Sequence, residues 1–162
     1  MKVARRRRRE HKTDYLIRKN LLKSEKPRIV FRRTNKFVIA QYIFSDEAKD
    51  NIKIGITSKK LLKYGWPEKS KGSLKSIPAS YLTGYLIVKM IIKEKLETPI
   101  VDLGMIKPVH KTKIFAFIKG LVDSGLELKF KEETFPEEDR LMGESLKEKV
   151  DVEEIKSKID KL

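Results

Sequence analysis

"RIVFRRTNKFVIAQYIF", residues 28–44, is the stretch that decides the fold. Two runs rich in β-branched and aromatic residues, "RIVFRR" and "FVIAQYIF", flank the short polar "TNK" and predict two strands joined by a tight turn. Asn35 suits that turn because asparagine tolerates positive φ. Downstream, "NIKIGIT" (51–57) sets isoleucine at every second position, the period of a strand with one buried face. "DEAKDN" (46–51) reads as the loop between them. The three strands then form an antiparallel meander.

Upstream of the meander, "TDYLIRKNLLKS" (13–24) has the spacing of a short amphipathic helix. Thr13 or Asp14 is its N-cap, and Pro27 closes it. Downstream, residues 58–78 mix Gly, Pro, Ser and Lys with weak periodicity, which predicts a long loop with at most one helical turn. A loop of that length inside a compact domain is usually functional or disordered. "PASYLTGYLIVKMIIKEKLE" (78–97) is apolar all round and predicts a buried helix. "TPIVDLGM" (98–105) reads as a central parallel strand. "KIFAFIKGLVDSGL" (113–126) reads as an amphipathic helix closed by Gly125. "ELKF" (127–130) reads as a short last strand, and the remainder as loop with one or two charged helices. The fold class is therefore mixed α/β. The meander is extended by a parallel strand into a mixed sheet, helices pack on it, and a disordered basic arm precedes it. The expected division is an arm over 1–12, one α/β domain over 13–131 and an acidic helical extension over 132–162.

Charge is distributed unevenly along the 162 residues, whose net is +15. Residues 1–36 carry fifteen Lys/Arg against three Asp/Glu, and residues 37–131 carry seventeen against nine. Residues 132–162 reverse the balance, with six against eleven. A surface this basic attracts polyanions, nucleic acid first and an anionic membrane second. The membrane reading is weak, because the basic head lacks an apolar face. No apolar region follows the arginines, so a secretory signal is not expected. The apolar run 81–92 is too short to span a bilayer and contains Lys89. The expectation is a soluble, intracellular protein.

The chain has no cysteine and only two histidines, His11 and His110, which removes thiolate zinc sites and disfavours histidine ones. No phosphate-binding glycine loop and no H-E-x-x-H occurs, and no cofactor is expected. Asp102 and Asp123 are the one candidate pair for a Mg²⁺-dependent nuclease, with capping and solvent exposure as the stronger alternatives.

The basic segments carry more. Arg5, Arg6, Arg7, Arg8 and Arg9 continue through Lys12 to Arg18 on the first helix. Arg32, Arg33 and Lys36 add charge at the hairpin, and Lys59 with further lysines lines the long loop. That loop also holds Tyr64 and Trp66. Rings among lysines suit RNA, whose phosphates meet the cations while unpaired bases stack. Burial is the equal alternative for Trp66. Asn35 and Gln41 have the chemistry to reach base edges, although the turn explains Asn35 equally well.

At "RRRRREHKTDYLIRKNLLKSEKPRIVFRRTNKFVIAQ" the chain resembles the archaeal and eukaryotic branch of the universal large-subunit ribosomal protein eighteen family, which binds 5S ribosomal RNA. The resemblance continues through "KYGW", "IPASYLTGYL", "VDLGM", "KIFAFIKGLVDSGL" and "FPEEDRLMGES", and so spans residues 5–145. It implies a non-catalytic role in the cytoplasmic ribosome, anchoring 5S rRNA to 23S-type rRNA at the central protuberance beside neighbouring large-subunit proteins. No membrane or small-molecule substrate is implied. Carried over by position, Arg5–Arg9, Lys12, Thr13, Tyr15 and Arg18 lie on RNA. Arg32, Arg33, Asn35, Lys36, Gln41, Ser58, Lys59, Tyr64 and Trp66 are further contacts. Two positions depart from the family pattern. "PVHKTK" replaces the usual Pro-Thr-x-Gly turn and adds charge at Lys111 and Lys113, and Ser145 stands where histidine is frequent. The alternatives of another class are the nuclease and a general architectural nucleic-acid binder.

Overall fold

The computed structural model describes residues 5–47, 49–144, 146 and 150–162; Ser145 lies outside the described residues. In chain order the elements are α1 (Arg6–Arg9), α2 (Tyr15–Lys23), β1 (Arg28–Arg33), β2 (Val38–Asp46) and β3 (Lys49–Thr57). Two 3₁₀ segments follow, Ser58–Tyr64 and Glu68–Ser73, and then α3 (Ile77–Lys93), β4 (Ile100–Asp102) and α4 (Lys113–Asp123). A 3₁₀ turn at Glu132–Thr134, α5 (Glu138–Met142) and α6 (Val152–Asp160) complete the chain.

The sheet order is β3-β2-β1-β4. β1 and β3 both pair antiparallel with β2, and β4 runs parallel to β1. The meander and the mixed sheet expected from sequence are both present. β4 has only three residues and lies at the sheet's edge rather than its centre. The ladder covers only Ile100–Asp102, and Gly104 and Met105 turn away from it.

Alternation assigns the two sheet faces. Ile29, Phe31, Ala40, Tyr42, Ile54 and Ile56 are buried in the core with α3 and α4. Arg28, Val30, Arg32, Gln41 and Ile43 belong to the opposite face. They line a cleft of about 260 Å³ together with Ile17, Leu21 and Arg18 of α2. α3 is buried along most of its length, as its composition predicts. It meets α4 at two glycines. A Cβ on Gly84 would collide with the Phe117 carbonyl, and one on Gly120 with the Tyr81 carbonyl.

Several local expectations change. β2 runs to Asp46 and β3 starts at Lys49, so strand takes up most of 46–51, and Glu47 has φ 42°. Ladder bonds outweigh the turn-like composition there. The stretch 127–130 pairs with no strand among the described residues. The 58–78 segment is ordered by its two 3₁₀ segments. Residues 6–9 form one exposed helical turn where a disordered arm is expected. Arginine is a good helix former, and Arg6 pairs with Glu10 one turn on. The acidic end is not merely solvated, because Val152, Ile155 and Ile159 of α6 are buried in the same core as α3.

Candidate nucleic-acid interface

The basic arm is held to α2 by a few short contacts. Asp14 caps α2, accepting from Leu16 N at 2.8 Å and Ile17 N at 3.1 Å. The Arg5 guanidinium lies 4.8 Å from the Tyr15 ring centroid. Arg7 Nε donates to Thr13 Oγ1 at 2.8 Å, and Lys12 pairs with Glu10 at 2.9 Å. Arg8 and Arg9 are exposed. α2 buries no residue, and Leu16 and Ile17 are exposed.

Behind α2 sits a cluster that sequence reading misses. Arg28 is 2% exposed and donates to Asp102 at 2.9 Å, Asp50 at 2.8 Å and Ser45 at 2.9 Å. Arg18 reaches the other oxygen of Asp50 at 2.9 Å, which ties α2 to the sheet. Burial acts to raise the Asp50 pKa. Hydrogen bonds from Arg18 and Ser45 and the charges of Arg28 and Arg18 outweigh it and hold the carboxyl below its ordinary value. Arg32 Nη1 donates to the Phe31 carbonyl at 2.7 Å, and its other nitrogen lies 3.8 Å from Asp102. Only the alternation of Arg28 with Val30 and Arg32 hints at this cluster, and it says nothing of partners far along the chain.

The hairpin turn is closed by Thr34, not by a left-handed Asn35. Thr34 Oγ1 accepts from Phe37 N at 2.9 Å and donates to Phe37 O at 2.8 Å, while neither Asn35 nor Lys36 has positive φ. Asn35, Lys36 and Arg33 are therefore free to project, and all three are exposed. Gln41 is half-buried in the cleft under α2.

The long loop divides its predicted contacts. Lys59 is exposed and Tyr64 is half-buried. Trp66 is 2% exposed and its Nε1 donates to Ser70 O at 3.1 Å, so the ring is core and not a stacking platform. Ser58 is fully buried, donating to Leu74 O at 2.6 Å and accepting from Val38 N at 3.1 Å. These two side chains do not reach the surface.

At the departure from the family turn, Lys111 takes φ 56° and pairs with Glu137 at 2.8 Å. Lys113 behaves differently. Partial burial lowers its pKa, and the neighbouring charges of Arg33 and Lys75 lower it further. The charges of the hairpin and of the loop thus both act on this cation of α4.

The two aspartates proposed for metal chemistry are held by different partners. Asp102 faces Arg28, and its other oxygen accepts from Gly104 N at 2.7 Å. Asp123 accepts from Tyr81 OH at 2.8 Å and pairs with Lys119 at 3.2 Å. Each is compensated by its own donors. Among the described residues no group of three or more His, Asp or Glu side chains is placed to hold a metal ion. No helix among them is long and apolar enough to cross a membrane. His11 and His110 are exposed, the latter edge-on to Phe115 at 5.4 Å.

A family model described as "Ribosomal large subunit proteins 60S L5, and 50S L18" matches residues 1–99. The chain is 42% identical over 145 residues to the large ribosomal subunit protein uL18 of Korarchaeum cryptofilum, covering 90% of this chain and 72% of that protein. It is 39% identical over 163 aligned residues to the uL18 of Methanothermobacter thermautotrophicus, covering 99% and 83%. It is likewise 39% identical over 144 residues to the uL18 of Methanoregula boonei, covering 89% and 80%.

Proposed function

The chain belongs to the family of ribosomal large subunit proteins 60S L5 and 50S L18, and we propose that within the subunit it binds 5S rRNA and anchors it to 23S-type rRNA at the central protuberance. Its role in the large subunit is structural and not enzymatic, and the nuclease reading falls with it. Ribosomal RNA and neighbouring ribosomal proteins are its partners there.

The observation that carries the 5S reading is the continuity of basic side chains from arm to hairpin. Arg5, Arg6, Arg7, Arg8 and Arg9 are exposed, and the cleft they lead into holds Arg7, Lys12, Arg18 and Arg32 together. Arg33 and Lys36 extend the surface past the hairpin. Guanidinium groups give bidentate phosphate contacts and stack on bases, which suits a folded RNA crevice. The buried Arg28 cluster keeps α2 and the sheet in fixed relation, so the arm leaves the body in a defined direction.

Deleting residues 1–12 tests the reading. The truncated chain keeps its circular dichroism, binds 5S rRNA more weakly and shows a flatter salt dependence. Every phosphate that the shortened chain no longer neutralises takes about 0.7–0.9 from the log–log slope. An unchanged slope would remove the arm from the interface.

A further inference from the structure

We propose that the groove between the β1–β2 hairpin and the second 3₁₀ segment receives a single unstacked nucleotide of ribosomal RNA. This deepens the RNA-binding reading above and rests on it. The groove measures about 720 Å³, within the range of about 300–1,000 Å³ typical of small-ligand sites. Its apolar surface comes from Phe37 and Leu62, with the buried Leu74 beneath them. Phe37 and Leu62 are only partly buried, so an apolar platform faces outward.

Charge chooses the occupant. Lys36, Lys59 and Lys75 rim the groove, and all three are exposed. Lys71 also lines it but pairs with Glu68 at 3.2 Å. The charge of Lys75 also acts on Lys113 of α4, a like-charge repulsion that an arriving anion relieves. An apolar floor under an ammonium rim matches a base with its flanking phosphates. Duplex RNA keeps its bases stacked and cannot fill such a floor. The stacking residue is thus Phe37 at the hairpin, whereas the loop tryptophan lies in the core.

Gly72 gives a clean test. It lines the groove, and a Cβ there meets nothing within 4 Å. Gly72→Leu adds bulk at the groove's lining where the fold has room, and Gly72→Ala is the control. The probe is hexauridylate, whose bases stack poorly, titrated into the full chain while the Leu62 and Leu74 methyl resonances are followed. The expected result is movement of both methyls, with affinity about tenfold weaker in Gly72→Leu and unchanged in Gly72→Ala. A flush RNA duplex leaves the methyls still. Should Gly72→Leu fail to fold, the Lys59→Gln/Lys75→Gln pair carries the same comparison. Methyls that stay still at saturation, or filling variants that bind equally well, overturn the groove. Binding of 5S rRNA through the arm with still methyls sinks the groove alone. Moving methyls without preference for 5S rRNA sink the 5S assignment alone.

Discussion

Arg28 sits fully enclosed against Asp102, Asp50 and Ser45, and its charge is tolerable only because all three answer it. Asp102→Ala removes one partner and leaves the guanidinium short, so denaturant unfolding should show a loss of about 3–5 kcal/mol. Asp50 has a pKa depressed by Arg18, Ser45 and Arg28 against the opposing effect of burial. A depressed carboxylate stabilises the fold above its unfolded pKa, about 3.9, and loses that contribution as pH falls through the lower folded value. Asp50→Asn should therefore lower stability at neutral pH and flatten the acid limb of a stability-against-pH curve below about pH 4. Lys95 offers the opposite sign. It ends α3 at φ 51°, with its N–H on Ile92 O and Leu96 N–H on Ile91 O. α4 ends with the same bonding at Gly125, φ 108°. Lys95→Gly should stabilise by about 1 kcal/mol in thermal melts, since a side chain in the left-handed region costs about 1–2 kcal/mol. The Asp14 cap and the Gly125 stop were legible because each is a local rule about one residue type. Lys95 carries no such mark, and Arg28 meets its partners only through the sheet.

The helices α3 and α4 approach through Gly84 and Gly120, where backbone meets backbone and no side chain can yield. Gly84→Ala and Gly120→Ala should each cost at least the roughly 1–3 kcal/mol of an overpacked core, read from denaturant midpoints. Gly55→Ala is the comparison, since a Cβ there makes only ordinary contact at 3.6 Å with Ile52. At this scale the sequence was readable where period and burial agree. The meander and α4 follow from their spacing, and α3 from its apolar composition. It was less readable where neighbours decide: 46–51 has a loop's composition but strand partners, and 127–130 has a strand's composition but no strand partner among the described residues. Trp66 could not be placed from the loop's lysines, because its Ser70 partner and its cover come from the way the 3₁₀ segments fold. Half of the predicted "KYGW" aromatic surface is core for that reason.

Across the whole molecule, the basic head and acidic end seen in sequence do not meet each other in the contacts that hold the acidic end in place. α6 docks on α3 instead, with Asp160 accepting from Tyr85 OH at 2.8 Å and pairing with Lys89 at 2.8 Å. The carbonyl of Leu162 accepts from Lys93 at 2.8 Å. One carboxylate of the acidic end, Asp160, thus meets α3, another, Glu137, pairs with Lys111, and Arg6 and Lys12 of the arm pair with Glu10 of the arm itself. Charge asymmetry was legible at once; the side of the molecule on which each half is used was not. We propose that this asymmetry serves a specific RNA. The most direct measurement is binding of the full chain to folded 5S rRNA against duplex DNA of equal length, followed across a salt series. Both affinities should fall with salt while 5S rRNA keeps a widening advantage, because contacts other than phosphate persist when counterion release fades. Two curves that coincide and fade together would contradict it.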